Sequence, residues 1–159
     1  MPEFTHIDKQ GRVRMVDVTE KEPTLRVAVA QGIVSMNPDT FDKIMNQTVQ
    51  KGNVLETARI AGIMAAKKTS ELIPMCHPLN IKHIAIDFFP DKSKSTIKIE
   101  GAVRIIDQTG VEMEALTAVS IAGLTIYDMC KSYDRKMIIS DICLIEKSGG
   151  KSGVFVRKK

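Results

Sequence analysis

The stretch IAIDFFPDKSKSTIKIEGAVRI (84–105) decides the fold. Ile84, Ile86 and Phe88 recur at every second position, and Ile97, Ile99, Val103 and Ile105 keep the same alternation further on. A period of two sends such side chains to one side of an extended strand. Between the runs lies the polar loop PDKSKS (90–95), which turns the chain back and joins the strands as a hairpin.

Upstream, 24–36 alternates as well. Leu25, Val27, Val29 and Ile33 face one way, and Arg26, Ala28 and Ala30 the other, so this is a half-buried strand. Asn37-Pro38-Asp39 opens a helix, with proline at its first position and an acid in its first turn. Phe41, Ile44, Met45 and Val49 follow at helical spacing, and Lys51-Gly52 should stop it. Asn53 and Glu56 start a second helix, NVLETARIAGIMAAKKTSEL (53–72), which is expected to bury Leu55, Ala58, Ala61, Gly62 and Ala65 before Pro74 ends it. Downstream, Thr109 and Glu112 have the spacing of a capping box, predicting a long helix from there to about Tyr133. A last strand is expected over 137–146. The order is strand, two helices, strand, strand, helix, strand. It predicts an α+β fold, a ferredoxin-like antiparallel sheet with its helices packed on one face. No repeat or linker interrupts 1–159, so one domain is expected, with a mobile N-terminal segment (about 1–14) and a mobile, glycine-rich basic arm (about 147–159).

The chain has 159 residues, 43% of them hydrophobic and 26% charged, which suits a soluble globular domain. Its start, MPEFTHIDKQ, carries no leader pattern. The uncharged part of the main helix, 115–127, is too short to cross a bilayer, so no membrane partner is expected. Three cysteines, at 76, 130 and 143, form no CxxC pair, and a reduced, cytoplasmic setting fits them. The net charge of +4 suits a phosphorylated ligand or a nucleic acid, but aromatic residues at 4% and no tryptophan offer few stacking platforms.

Three groups of residues could carry chemistry. In IPMCHPL (73–79), Cys76 and His77 are neighbours on what should be extended chain, so their side chains should point apart. With only His6 and His83 as further histidines, no metal site is expected there. His77, between prolines at a helix exit, is placed to meet a ligand, whereas Cys76 reads equally well as a core thiol. In the long helix, Glu112 and Glu114 occupy the first turn; Asp128 and Lys131, three apart near the end, can reach each other. Such a couple is either a surface ion pair or a tuned proton donor and acceptor. Lys51, before a helix N-terminus, and Lys147 and Lys151, among glycines, could face anions. The pattern GxxxxGK[ST] fails because Ile145 stands where its first glycine belongs.

The segments MVDVTEK (15–21), KGNVLETARIAGIMAAK (51–67), LIPMCHPL (72–79), GVEMEALTAVSIAGLTIYDMCK (110–131) and KSGGKSG (147–153) together resemble the cyclic pyranopterin monophosphate synthases, the molybdenum cofactor biosynthesis protein C family. The resemblance spans nearly the whole chain. It implies a lyase that converts a cyclised guanosine triphosphate (3',8-cyclo-7,8-dihydroguanosine triphosphate) into cyclic pyranopterin monophosphate with loss of pyrophosphate. The substrate would come from a radical GTP cyclase acting upstream. It implies a homohexamer, a trimer of dimers, and no redox cofactor; whether magnesium accompanies the triphosphate is left open. Carried over by position, Asp128 and Lys131 become the acid–base pair. Met75, Cys76, His77, Met113 and Glu114 would line the substrate pocket with Glu112, and Lys51, Lys147 and Lys151 would face phosphates. Glu114 and Asp128 lie about 21 Å apart along a helix, so the site should be shared between protomers, with Lys51 and Asp128 as one trial division between chains. The rival is a non-catalytic phosphate- or RNA-binding module on the same fold, for which Phe88 and Phe89 are the sheet's only aromatic offer on its middle strands.

Overall fold

In chain order the elements are β1 (Thr24–Ser35), α1 (Pro38–Met45), α2 (Val54–Lys67), α3 (Thr69–Leu72), β2 (His83–Asp91), β3 (Thr96–Asp107), α4 (Glu112–Cys130), β4 (Ile138–Ser148) and β5 (Phe155–Val156). They come from a computed structural model that describes residues 10–158. Most of the N-terminal segment expected to be mobile, 1–9, lies outside the described residues. The sheet order is β2-β3-β1-β4-β5 with every pair antiparallel, so the first four strands have the ferredoxin-like arrangement. The hairpin pairs as its alternation requires, with Ile84 opposite Val103 and Asp91 opposite Thr96, and Ser95 takes a positive φ of 51° to close the turn.

The helices cover one face of the sheet. On β1 the covered side chains are the small ones: Ala28, Ala30 and Val34 are fully buried, while Leu25 and its set lie on the other face. The smallness has a use, because α4 comes very close. A Cβ on Gly32 would stand 2.8 Å from Val119 Cγ1, and one on Gly101 2.9 Å from Val119 Cγ2. Val119 thus seats in a notch made by two glycines on paired strands. α2 packs beside α4 through Ala58, Gly62, Ala118 and Ala122. Leu55 and Ala61, expected in the core, are half-buried at its edge. α4 has the length and mean hydropathy of a membrane span, beyond what its 13 uncharged residues suggest. With 56% of that window buried inside the protein, it serves as the core helix.

Several boundaries differ from expectation. Val111 caps α4 without a side-chain hydrogen bond, and the helix ends at Cys130. The expected capping box is absent because Thr109 and Glu112 both face a cleft. The first helix stops at Met45 because Gln47 turns into a left-handed conformation, φ 54°; Val49 is still buried, but from the loop. The long second helix breaks at Lys68. There the Thr69 hydroxyl donates back to the carbonyls of Ala65 and Ala66, taking acceptors near the helix end. Asn53 does cap it, accepting from the Glu56 amide at 3.2 Å. The basic arm, expected to be mobile from 147, is instead partly ordered: Lys147 belongs to β4, and β5 returns to pair Val156 with Glu146.

β4 holds one feature that bears on the site. Its register against β1 slips twice, from Ser140 opposite Ile33 to Cys143 opposite Gln31, and from Leu144 opposite Ala30 to Glu146 opposite Val29. Each slip is a one-residue bulge, and the second leaves Ile145 unpaired. Lys147 consequently stands opposite Ala28, on the helix-bearing face. Without that bulge the alternation would place Glu146 there and send Lys147 to the bare side.

Candidate active site

At the end of the sheet where α4 begins, two adjoining hollows form one cleft. The larger, about 740 Å³, is bounded by Arg26, Glu112, Lys147, Gly149, Gly150 and Lys151. The smaller, about 320 Å³, is bounded by Val18, Met75, Cys76, His77, Met113 and Glu114. Lys21, Thr109, Gly110 and Glu112 belong to both walls and mark where they meet. All eleven residues singled out from sequence fall into two places, and the first holds eight: Met75, Cys76, His77, Glu112, Met113, Glu114, Lys147 and Lys151 line this cleft.

Each wall has a local cause. The 16–21 segment is shaped by Asp17, whose Oδ1 accepts from the Thr19 amide at 2.9 Å and the Thr19 hydroxyl at 2.7 Å. Those bonds, the backbone one foremost, hold the Asp17 carboxyl below its usual range, with His77 adding in the same direction. The loop after α3 turns at once, the Cys76 amide donating to the Ile73 carbonyl at 3.1 Å. This turn replaces the extended chain expected there. Cys76 and His77 both line the smaller hollow. Burial, then the charge of Glu114, pushes the Cys76 thiol up, away from the reactive thiolate.

Glu114 is the unusual group. It is only 3% exposed, and burial raises its carboxyl to about 7, against hydrogen bonding to its own backbone and with repulsion from Glu112 helping. At neutral pH it therefore divides between acid and carboxylate, the condition for giving or taking a proton.

The larger hollow sets four cations, Lys21, Arg26, Lys147 and Lys151, against the carboxylates of Glu20, Glu22 and Glu112. Arg26 donates from Nε to the Asp107 carbonyl and from Nη2 to the Gln108 carbonyl, each at 3.2 Å. Neither partner is charged, so the guanidinium keeps its charge for the cleft. Gly149 (φ 96°) and Gly150 (φ 72°) pass so close that a Cβ on either would overlap Leu25 or Arg26. Lys147 Nζ is hydrogen-bonded to the Ser152 hydroxyl.

The second place lies at the far end of α4. Lys131 Nζ is 2.7 Å from Asp128 Oδ1, and Lys51 Nζ lies 3.2 Å from Asp128 Oδ2 and 2.9 Å from the Asp128 carbonyl. Lys51 thus meets both a carboxylate and a free carbonyl at the negative end of a helix. Hydrogen bonds from Lys131, then Lys51, hold the Asp128 carboxyl below its usual range, and Asp128 in turn raises Lys131. Lys51 and Asp128 are neighbours within one chain, which corrects the trial division of those two between protomers. Among the described residues, no three His, Cys, Asp or Glu side chains are grouped as metal ligands.

Sequence reasoning missed Lys21, Arg26 and Thr109 as cleft residues. Arg26 was placed in a strand and Thr109 in a cap, and in a single sequence each is well explained by that duty. The segment MVDVTEK (15–21) carried the one usable hint, an acid set among apolar residues with a lysine four positions on.

The fold and these two clusters define an α+β protein with a cleft that sets lysines and an arginine beside a titratable acid. The model of the MoaC family matches residues 15–150, and the chain belongs to that family. It is 64% identical to a protein of Desulforapulum autotrophicum named cyclic pyranopterin monophosphate synthase, over 98% of this chain and 96% of that one. Proteins of the same name share 62% identity in Desulfatibacillum aliphaticivorans, over 99% of both chains, and 54% in Heliobacterium modesticaldum, over the full length of both.

Proposed function

We propose that this chain is a cyclic pyranopterin monophosphate synthase acting on the cyclised guanosine triphosphate supplied by a radical GTP cyclase. The observation that carries the reading is the two-part cleft. One hollow offers His77 and the titratable Glu114 to a fused, nitrogen-rich ring, and the other offers Arg26, Lys147 and Lys151 to a triphosphate. Ring opening breaks a carbon–nitrogen bond with water as the attacking group, and pterin closure forms a new one with loss of water. Each step needs an acid to protonate the leaving atom and a base to take a proton from the attacking one. Cyclic phosphate formation then attacks the α-phosphorus with a sugar hydroxyl oxygen, breaking its bond to pyrophosphate while a base takes the hydroxyl proton. Lysines beside the leaving group would disperse its charge. Asp128, Lys131 and Lys51 are assigned to acid–base work. Asp128 lies about 21 Å along α4 from Glu114, so the complete site takes one cluster from each of two protomers. A homohexamer made of three dimers supplies such pairs.

The reading assigns no resident cofactor to the chain and places it in the cytoplasm; magnesium would enter, if at all, with the triphosphate. The RNA-binding alternative loses ground because the ring faces of Phe88 and Phe89 already meet Arg59 (5.3 Å) and Lys98 (4.3 Å). The direct test supplies the cyclised nucleotide and measures cyclic pyranopterin monophosphate and pyrophosphate in equal amounts. Folded protein that releases neither would end the reading.

A further inference from the structure

We propose that Tyr133 is a positioning residue that holds the 49–52 turn where Lys51 can reach Asp128; the inference rests on the acid–base role assigned above to that cluster. Lys51 sits in a tight turn, the Gly52 amide donating to the Val49 carbonyl at 3.0 Å. Val49 is 4% exposed and anchors one side of the turn in the core. On the other side, the Gln50 amide donates to the Tyr133 hydroxyl at 3.2 Å. Tyr133 is the second residue beyond Lys131, in the turn that closes α4, where its own amide donates to the Cys130 carbonyl at 2.8 Å. One phenol oxygen thus ties the loop bearing Lys51 to the helix end bearing Asp128 and Lys131.

That helix end is itself fixed. Asp134, 4% exposed, accepts from the Asn37 amide at 2.7 Å and from the Lys136 amide at 2.9 Å. The Tyr133 ring is further held by Lys43, whose Nζ lies 5.3 Å from its centroid. Removing the hydroxyl leaves ring and fold in place but frees the Gln50 amide. Lys51 then loses its fixed origin, because a four-carbon side chain multiplies small backbone shifts at its tip.

Tyr133→Phe and Lys51→Ala are compared with the full-length protein on the cyclised nucleotide, measuring kcat, KM and the acid limb of the kcat–pH profile. For Tyr133→Phe the expected result is a kcat about three- to tenfold lower, the worth of one hydrogen bond, with KM unchanged. The acid limb should move to higher pH. The charges facing Asp128 are Lys51 from the loop and Lys131 from α4, and only the Lys51 contribution is weakened, so Asp128 protonates more readily. A merely structural tyrosine would lower the melting temperature and leave that limb in place. A wild-type kcat and profile for Tyr133→Phe, with Lys51→Ala inactive, overturns the inference alone. Wild-type turnover by Lys51→Ala overturns the assignment of Lys51, and this inference with it.

Discussion

Replacing Glu114 with Gln should make the protein more stable at alkaline pH and leave it unchanged in acid. A carboxyl raised from 4.5 to about 7 holds its proton in the folded chain after the unfolded chain has lost it. Below pH 4.5 both states are protonated and the residue has no pH effect. Between 4.5 and about 7 the unfolded state binds fewer protons, so stability falls as pH rises. Above about 7 the folded state carries the ionised group at its full cost. A displacement of that size corresponds to about 3 kcal/mol. Because the group faces an open cleft, solvent screening reduces this to about 1–3 kcal/mol. Glutamine keeps the shape and removes the ionisation. Urea melts of both proteins from pH 4 to 8.5 should therefore give difference curves that are flat in acid and rise to about 1–3 kcal/mol by pH 8. At that size the melting temperature of Glu114→Gln at pH 8 should exceed wild type by about 2–10 °C. Difference curves that stay flat throughout would refute the claim that burial, and not a compensating partner, governs Glu114.

Mixing separately inactive His77→Ala and Lys131→Ala proteins should restore activity after subunit exchange, because their clusters lie at opposite ends of α4. Lys51→Ala mixed with Asp128→Ala should stay inactive, since both lesions fall in one cluster; the reverse pattern would overturn the shared-site geometry. Asp128→Asn and Lys131→Ala should each lose about 10²–10⁴-fold in turnover with the fold intact, measured by pyrophosphate release, and a near-normal rate would remove that residue from the chemistry. Cys76→Ser should keep most activity and His77→Ala little. If a chelator stopped the Cys76→Ser enzyme and zinc restored it, the metal-free reading of that loop would fall.

What could be read from the chain alone followed short-range rules. The hairpin appeared in its alternation, and the Asp128–Lys131 couple appeared because residues three apart share a helix face. Lys51 stands 77 residues from Asp128, and nothing local announces that a turn after α1 closes on the end of α4. The covered face of β1 was also hidden. Bulk alone would turn Leu25 and Val27 inward, but the approach of α4 selects the face with Ala28, Ala30 and Gly32 instead. Thr109 and Glu112 had the right spacing for a cap and serve a cleft, a choice that only the tertiary surroundings make.

The surplus residue at Ile145 decides which charge the end of β4 presents to the cleft, and it does so only for as long as it is absorbed as a bulge. Deleting Ile145 would close the bulge and leave Lys147 opposite Ala28, because Leu144, Glu146 and Lys147 would then pair with Ala30, Val29 and Ala28 in plain alternation. Flattening the bulge without shortening the chain is the harmful change: it would exchange a cation for the Glu146 carboxylate at that place. The segment should therefore tolerate the loss of one residue better than any substitution that straightens the strand at its full length.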